Sequence, residues 1–132
     1  MKKVIVPIAF AACALAVQFA PAAPQPDFKE IMSKPLTDIP GKEGLVLMVT
    51  YQPGGADEIH RHDAHAFVYV LEGSIVMQLR GAEPVTVKAG EGFYEGPNDV
   101  HIVGRSASES KPAKFVVFLV KKQGVPVFIP AK

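Results

Sequence analysis

Three of the four histidines in this 132-residue chain lie within six residues, at His60, His62 and His65. Side chains at positions i and i+2 of a β-strand point to the same face, so His60 and His62 converge if this segment is extended. Two imidazoles on one face are a frequent beginning of a transition-metal site. Alone, this pattern is equally compatible with exposed polar residues at the entrance of a strand.

The fourth histidine, His101, opens a later strand behind a Gly-Pro-Asn turn. Continuing the period of two from His60 and His62 places three small or β-branched residues on the same inward side, namely Ala66, Val68 and Val70. Two neighbouring strands can therefore bring three imidazoles together at one end of a sheet.

The rest of the chain supplies short β-branched and aromatic runs, separated mostly by Gly, Pro, Asn or Asp at about ten-residue spacing. The runs are 44–51, 66–72, 74–80, 84–89, 92–95, 101–104 and 114–122. This spacing predicts an all-β sandwich or barrel with no helix of useful length after residue 35. Residues 115–120 are apolar on both faces, which predicts deep burial.

Two segments around the histidines resemble the paired signature motifs of the cupin family. The segment GGADEIHRHDAHAFVYVLEG carries Gly54, His60, His62 and Gly73 at the positions of the first motif. The segment GEGFYEGPNDVHIVGRS carries Gly90 and His101 at the positions of the second. The resemblance spans residues 41–122 and implies a double-stranded β-helix, or jelly roll, with a metal in the barrel mouth.

The chain departs from the family pattern at two places, because the metal-binding glutamate aligns with Ala66 and the terminal asparagine with Arg105. The resemblance therefore transfers His60, His62 and His101 as ligands but no carboxylate.

Two residues are candidates for a fourth ligand. His65 faces away from His62 by strand alternation unless residues 63–64 form a turn, and its alternative role is a surface or subunit contact. Glu95 precedes the second turn, and we expect it to be a solvated or ion-paired carboxylate at the rim. Tyr69 and Tyr94 are candidates for lining a substrate pocket, although tyrosines in strands more often pack.

A site of three neutral histidines favours one divalent transition metal, namely Fe, Mn, Ni, Cu, Co or Zn, over Mg or Ca. It leaves positions open for water, oxygen or a chelating small molecule. We therefore expect a dioxygenase-like oxidoreductase; the alternatives are a non-catalytic binding or sensor protein and a metal-dependent isomerase or lyase.

The N terminus has the order of a secretory signal peptide: two lysines, an apolar run and Ala20-Pro21-Ala22. This predicts a signal peptide at 1–22, a proline-rich arm at 23–43 with one helical turn near 28–32, and a barrel domain at 44–132. A membrane anchor, or a lipoprotein modified at Cys13, fits the pattern less well. The predicted location is periplasmic or secreted, with no stable membrane anchor after cleavage.

The mature chain would carry 12 basic and 13 acidic side chains, since residues 1–22 contain two lysines and no acid. No basic patch suggests a nucleic acid partner. Cys13 is the only cysteine, so the mature chain has neither a disulfide nor a thiol nucleophile. Open sheet edges and the arm predict a homodimer.

Overall fold

The structure is a computed structural model that describes residues 17–132. It consists of ten strands and no helix within that range. The strands are β1 (Asp27–Pro35), β2 (Lys42–Tyr51), β3 (His60–Arg61), β4 (Ala64–Glu72), β5 (Ser74–Leu79), β6 (Val85–Lys88), β7 (Gly92–Glu95), β8 (Val100–Ser106), β9 (Ala113–Lys122) and β10 (Ile129–Pro130). Among the described residues, no helix is long and apolar enough to cross a membrane.

The strands of the described residues form two five-stranded sheets, and every strand pair in them is antiparallel. The first sheet has the order β1-β2-β9-β4-β7, and the second has the order β10-β3-β8-β5-β6. Consecutive strands repeatedly alternate between the sheets, which is the double-stranded β-helix that the sequence predicted. Each of the seven predicted apolar runs corresponds to a strand whose ends differ from it by no more than two residues.

The core consists of alternate residues from the long strands, as a sheet with one buried face requires. In β4, for example, Ala64, Ala66, Val68 and Val70 are buried while the residues between them are exposed. The largest fully buried side chains include Tyr51, Ile75, Met77 and Leu119. Among the described residues, the buried polar or charged side chains are His60, His62, Glu95 and His101, together with Ser106 and Lys121.

Two local expectations are wrong. Residues 28–32 are not a helical turn but part of β1, which pairs with β2 along its length. Every side chain of β1 is exposed, so its sequence has no inward apolar alternation by which a strand would be recognised. The apolar run in β9 is central in its sheet, but its outer face is not deeply buried, since Phe118 is 39% exposed.

The N-terminal prediction falls largely outside the described residues. Most of the proposed signal peptide, including Cys13, lies within residues 1–16. Residues 17–26 are described and contain no strand.

Candidate metal centre

Three histidines meet at the end of the second sheet. His60 on β3 and His101 on β8 are directly opposite each other in the antiparallel register, and their ring centroids are 4.9 Å apart. His62 follows β3 immediately, and its ring lies 4.8 Å from that of His60. All three are buried. The strand pairing therefore brings together the three residues that the sequence singled out as metal ligands.

Backbone carbonyls orient two of these rings. His60 Nδ1 donates to the carbonyl of Glu58 at 2.8 Å, and His62 Nδ1 donates to the carbonyl of Val127 at 2.5 Å. A neutral imidazole that donates from Nδ1 keeps a lone pair on Nε2. Metal-binding histidines are commonly held in this way, with the second ring nitrogen donating to a carbonyl or carboxylate. Both rings are thus prepared to bind through Nε2.

Glu95 supplies a carboxylate between two of the histidines. Its Oε2 lies 3.4 Å from His62 Nε2, and its Oε1 lies 3.5 Å from His101 Nδ1. The expected position at the rim is wrong, because Glu95 is only 4% exposed, whereas the alternative of an ion-paired carboxylate agrees with its contacts to His62 and His101. It closes strand β7, and the alternation of that strand turns it inward while Tyr94 faces out.

The position of Glu95 explains how the cluster has a carboxylate although residue 66 is alanine. In the pairing of β4 with β7, Ala66 and Glu95 are direct partners. Partners across an antiparallel pair project to the same face. The carboxylate therefore comes from the strand next to the one that carries Ala66, and it enters the same interior.

The charges in this cluster are strongly interdependent. Burial lowers the pKa of His62, but the hydrogen bond and negative charge of Glu95 outweigh it and hold that pKa above its usual value. Burial raises the pKa of Glu95, but the three histidines together hold it below its usual value. For His101, burial dominates and lowers the pKa, so this ring is neutral at physiological pH.

The cluster fits a metal ion on two observations. Both ring nitrogens of His101 are buried without a hydrogen-bond partner, which is costly unless another ligand satisfies one of them. In addition, His62 Nε2 lies 3.4 Å from the carboxylate of Glu95, so two acceptors point at each other whenever His62 is neutral. A proton or a metal cation between them removes this repulsion. One ligand atom each from His60, His62 and Glu95 lies within 4.8 Å of the others.

A second carboxylate, Asp57, lies on the other side of His60 and His101. One oxygen of Asp57 and one nitrogen of each of these rings lie within 4.8 Å of one another. The buried Tyr51 hydroxyl donates to Asp57 Oδ2. Burial raises the pKa of Asp57, and the hydrogen bond from Tyr51 offsets only part of this.

Gly104 provides the space in which these groups meet. A Cβ atom at this position would lie 2.7 Å from His101 Cε1, 2.8 Å from Asp57 Oδ2 and 2.9 Å from the Tyr51 hydroxyl. Because real Cβ atoms do not approach so closely, a side chain here would displace the cluster. The backbone of β8 also holds Asp57, whose amide donates to the Gly104 carbonyl at 2.7 Å.

The C-terminal segment covers the cluster from outside. The Phe128 ring lies 5.1 Å from His60 and 5.3 Å from His62, measured between centroids, and Phe28 of β1 lies 4.7 Å beyond it. Behind these rings is a cavity of about 20 Å³ whose lining includes the three histidines, Asp57 and Glu95. About 10–15 Å³ accommodates one water molecule, so the cavity has room for an ion or a water but no larger ligand.

The remaining candidates lie on the outer face of the first sheet. His65 is exposed, and a hydrogen bond of 2.7 Å joins its Nδ1 to the Tyr94 hydroxyl. Its side chain points away from the cluster, so it is not positioned as a fourth ligand. Tyr69 and Tyr94 are also about half exposed, and neither lines the cavity at the histidines. The expectation that they line that site is wrong, because they alternate with the inward residues of β4 and β7.

A sequence-family model described as the cupin domain matches residues 47–119, more than half of the chain. The chain belongs to the cupin family. Its length and architecture make it a small single-domain cupin. A search of curated proteins gave no match.

Solved structures with this fold include proteins of different activity. One is an uncharacterized conserved protein with a double-stranded beta-helix domain from Klebsiella pneumoniae, with 18% identity, coverage of 86% of this cupin and 90% of that chain, and a TM-score of 0.66. The DMSP lyase DddQ from Ruegeria pomeroyi is 17% identical, and the match covers 67% of this cupin and 43% of the lyase chain with a TM-score of 0.58. An oxalate oxidase in complex with the substrate analogue glycolate is 22% identical, and the match covers 65% of this cupin and 45% of the oxidase chain with a TM-score of 0.56. At these identities the likeness establishes the fold, and this cupin spans less than half of the lyase and oxidase chains.

Three features of the site were not predicted from the sequence, namely Asp57, Tyr51 and the packing of Phe128 against the histidines. A signal for Tyr51 existed, since it continues the inward alternation of Leu45, Leu47 and Val49, and a buried tyrosine hydroxyl requires a partner. Phe128 gave no comparable signal, because its segment is short and pairs only two residues with β3.

Proposed function

We propose that this chain is a metal-dependent cupin of the oxidoreductase type, in which His60, His62, His101 and Glu95 hold one divalent transition metal. The observation that carries the proposal is the position of Glu95, buried within 3.4–3.5 Å of two of the three histidines. Imidazole and carboxylate donors favour Fe, Mn, Co, Ni, Cu or Zn. No cysteine lies within residues 17–132, so the donors gathered here include no thiolate.

When bound, such a metal supplies Lewis-acid polarisation of a small oxygen-containing substrate and, for redox-active metals, electron transfer. The protein contributes a buried site in which the ligand side chains are already oriented. Carbonyl acceptors hold two of the rings, and Phe28 and Phe128 shield the cluster from water. Exclusion of water strengthens the electrostatic interactions at such a site.

A lyase or isomerase reaction is the second candidate, and the observation that favours it is Asp57. This carboxylate is placed beside the histidines and is oriented by Tyr51. Its pKa is raised by burial, which brings it closer to the range in which a general base is effective near neutral pH. The fold supports both reaction classes, since the structures of similar fold include a DMSP lyase and an oxalate oxidase.

The first experiment is elemental analysis of the purified mature protein after dialysis. We expect one equivalent of a transition metal, and we expect its loss from His60→Ala, His62→Ala and His101→Ala. His65→Ala is the matched control, because it removes an imidazole of the same chain that faces outward. A protein that contains no metal and cannot be loaded would contradict the proposal and favour the non-catalytic binding or sensor alternative.

The second experiment separates the two reaction classes. Candidate substrates are incubated with the metal-loaded protein in air and under anaerobic conditions, with oxygen uptake measured by electrode. Turnover that consumes oxygen and stops without it supports the oxidoreductase. Turnover that continues without oxygen and fails in Asp57→Asn supports the lyase or isomerase.

A further inference from the structure

A second and larger cavity opens outside the covered metal centre. It has a volume of about 180 Å³, and its walls include Phe28, Asp57, Glu58, Ile59, His60 and Phe128. We call it the vestibule. Four of these residues also line the cavity at the histidines, namely Phe28, Asp57, His60 and Phe128. The two cavities therefore adjoin at these side chains, and the buried, unpartnered His101 lines the inner one.

The vestibule is acidic and contains no counter-charge. Asp57 and Glu58 are its charged residues, and among the described residues no lysine or arginine lines it or the cavity at the histidines. Within residues 17–132, neither carboxylate forms an ion pair with a lysine or arginine.

The metal does not reverse this balance. Asp57, Glu58 and Glu95 bring three negative charges to the two adjoining cavities, whereas a divalent ion brings two positive charges. The histidines are neutral when they bind metal. With all three carboxyl groups ionised, the combined site is negative by one charge, and an anionic substrate would enter against this potential with no basic side chain among the lining residues to receive it.

The remaining walls suit a cation as well as apolar groups. Phe28 and Phe128 line both cavities, and their ring centroids are 4.7 Å apart. Cations are attracted to aromatic faces within about 6 Å. The vestibule's volume of about 180 Å³ is far larger than the roughly 10–15 Å³ that one water molecule needs in such a cavity. The vestibule therefore has space for a compact organic molecule.

We infer that the vestibule binds a small organic cation of the ammonium class, held by Glu58 and Asp57 and by the Phe28–Phe128 ring pair. This inference rests on the proposed metal-dependent function, because it names the class of substrate that this centre receives. The charged end of the ligand lies in the vestibule, and its other end is directed past His60 toward the metal centre.

Calorimetric titration with three small probes tests the inference. Choline supplies the cation, 3,3-dimethylbutan-1-ol has the same shape without the charge, and glycolate supplies a small anion. We expect choline to bind at least about fivefold more tightly than the neutral isostere, and glycolate not to bind detectably. Equal binding of choline and its isostere, or preferential binding of glycolate, overturns the inference.

Two variants locate the binding. Glu58→Gln removes a charge from an exposed side chain and should reduce choline affinity about fivefold. Glu83→Gln is the matched control, since Glu83 is also exposed and lies outside the vestibule. Phe128→Leu should weaken choline more than the isostere, because it removes the ring but keeps an apolar side chain. Identical choline affinities for Glu58→Gln and Glu83→Gln contradict the assignment.

Elemental analysis of the same samples separates this inference from the proposed function. A sample that contains metal but does not distinguish choline from its isostere overturns the vestibule inference and leaves the metal centre supported. A sample that cannot hold metal but binds choline selectively supports the vestibule inference and contradicts the metal-dependent function.

Discussion

Moving the carboxylate between strands is the most direct perturbation of the metal centre. Glu95→Ala removes the only carboxylate between His62 and His101, and Ala66→Glu in that background returns one from the paired position on the neighbouring strand. Changes to residues that merely support metal ligands cost about 10–100-fold in affinity. Loss of a direct ligand should cost more, so we expect Glu95→Ala to weaken binding by more than about 100-fold.

The double variant should recover part of this loss. Cβ atoms of directly opposed residues in an antiparallel pair are about 5 Å apart, a shift that the long, rotatable side chain of glutamate can partly accommodate. Because Ala66 is buried on the inner face, its replacement projects toward the same interior. We expect Glu95→Ala with Ala66→Glu to regain at least about tenfold in affinity over Glu95→Ala alone. By contrast, Ala66→Glu alone places two buried carboxylates side by side and should destabilise the metal-free protein.

Competition with a chromophoric chelator measures these affinities. Glu83→Ala serves as the control for loss of an exposed carboxylate. If Glu95→Ala binds metal as tightly as the wild type, Glu95 is not a ligand and the centre consists of histidines alone. If Glu95→Ala loses affinity but the double variant regains none, the argument from strand register is refuted.

Four further predictions concern the charge, packing, assembly and export of the protein. In the metal-free state, Glu95→Gln should lower the pKa of His62, as measured by NMR. Because folding raises this pKa, protonated His62 stabilises the folded protein fully below the unfolded pKa of about 6.5, and this stabilisation is lost as the pH rises through the folded pKa. Glu95→Gln should remove this pH-dependent stabilisation. Gly104→Ala should displace His101 and reduce metal retention, measured by elemental analysis, since the added Cβ meets the ring at 2.7 Å; full retention would contradict this. We propose a homodimer through the exposed aromatic face around Phe118, so light scattering should give twice the monomer mass and Phe118→Lys should reduce it; a monomeric wild type would refute this. We also propose export, so mass spectrometry should find a mature N terminus at position 23 or 24 rather than an intact chain.

The long strands were predictable because each one carries its own signal. Strand β4 alternates small or β-branched inward residues with outward Phe67 and Tyr69, and this period of two is visible without any knowledge of its neighbours. The turn glycines gave a second local signal. Gly73, between β4 and β5, adopts a positive φ of 71°, and a Cβ there would approach the carbonyl of Pro112 to 2.6 Å.

Elements that depend on their neighbours could not be predicted in this way. Strand β1 exists because its backbone pairs with β2, and none of its side chains is buried. The two-residue strands β3 and β10 pair with each other, with β3 also paired to β8, and they are too short to show a period. Phe128 approaches the histidines through the last of these pairings, so its role follows from long-range contacts alone.

The same distinction explains why Glu95 was misjudged. Alternation along one strand predicts that His65 faces outward and Ala66 inward, as the structure has them. The same reasoning cannot be extended to the neighbouring strand from the sequence, because the register between β4 and β7 is a property of the folded sheet. Once Ala66 and Glu95 are known to be partners, parity requires that both face the interior. A missing ligand at one position of a sheet is therefore weak evidence that the site lacks that ligand, since an adjacent strand can deliver the same group to the same space.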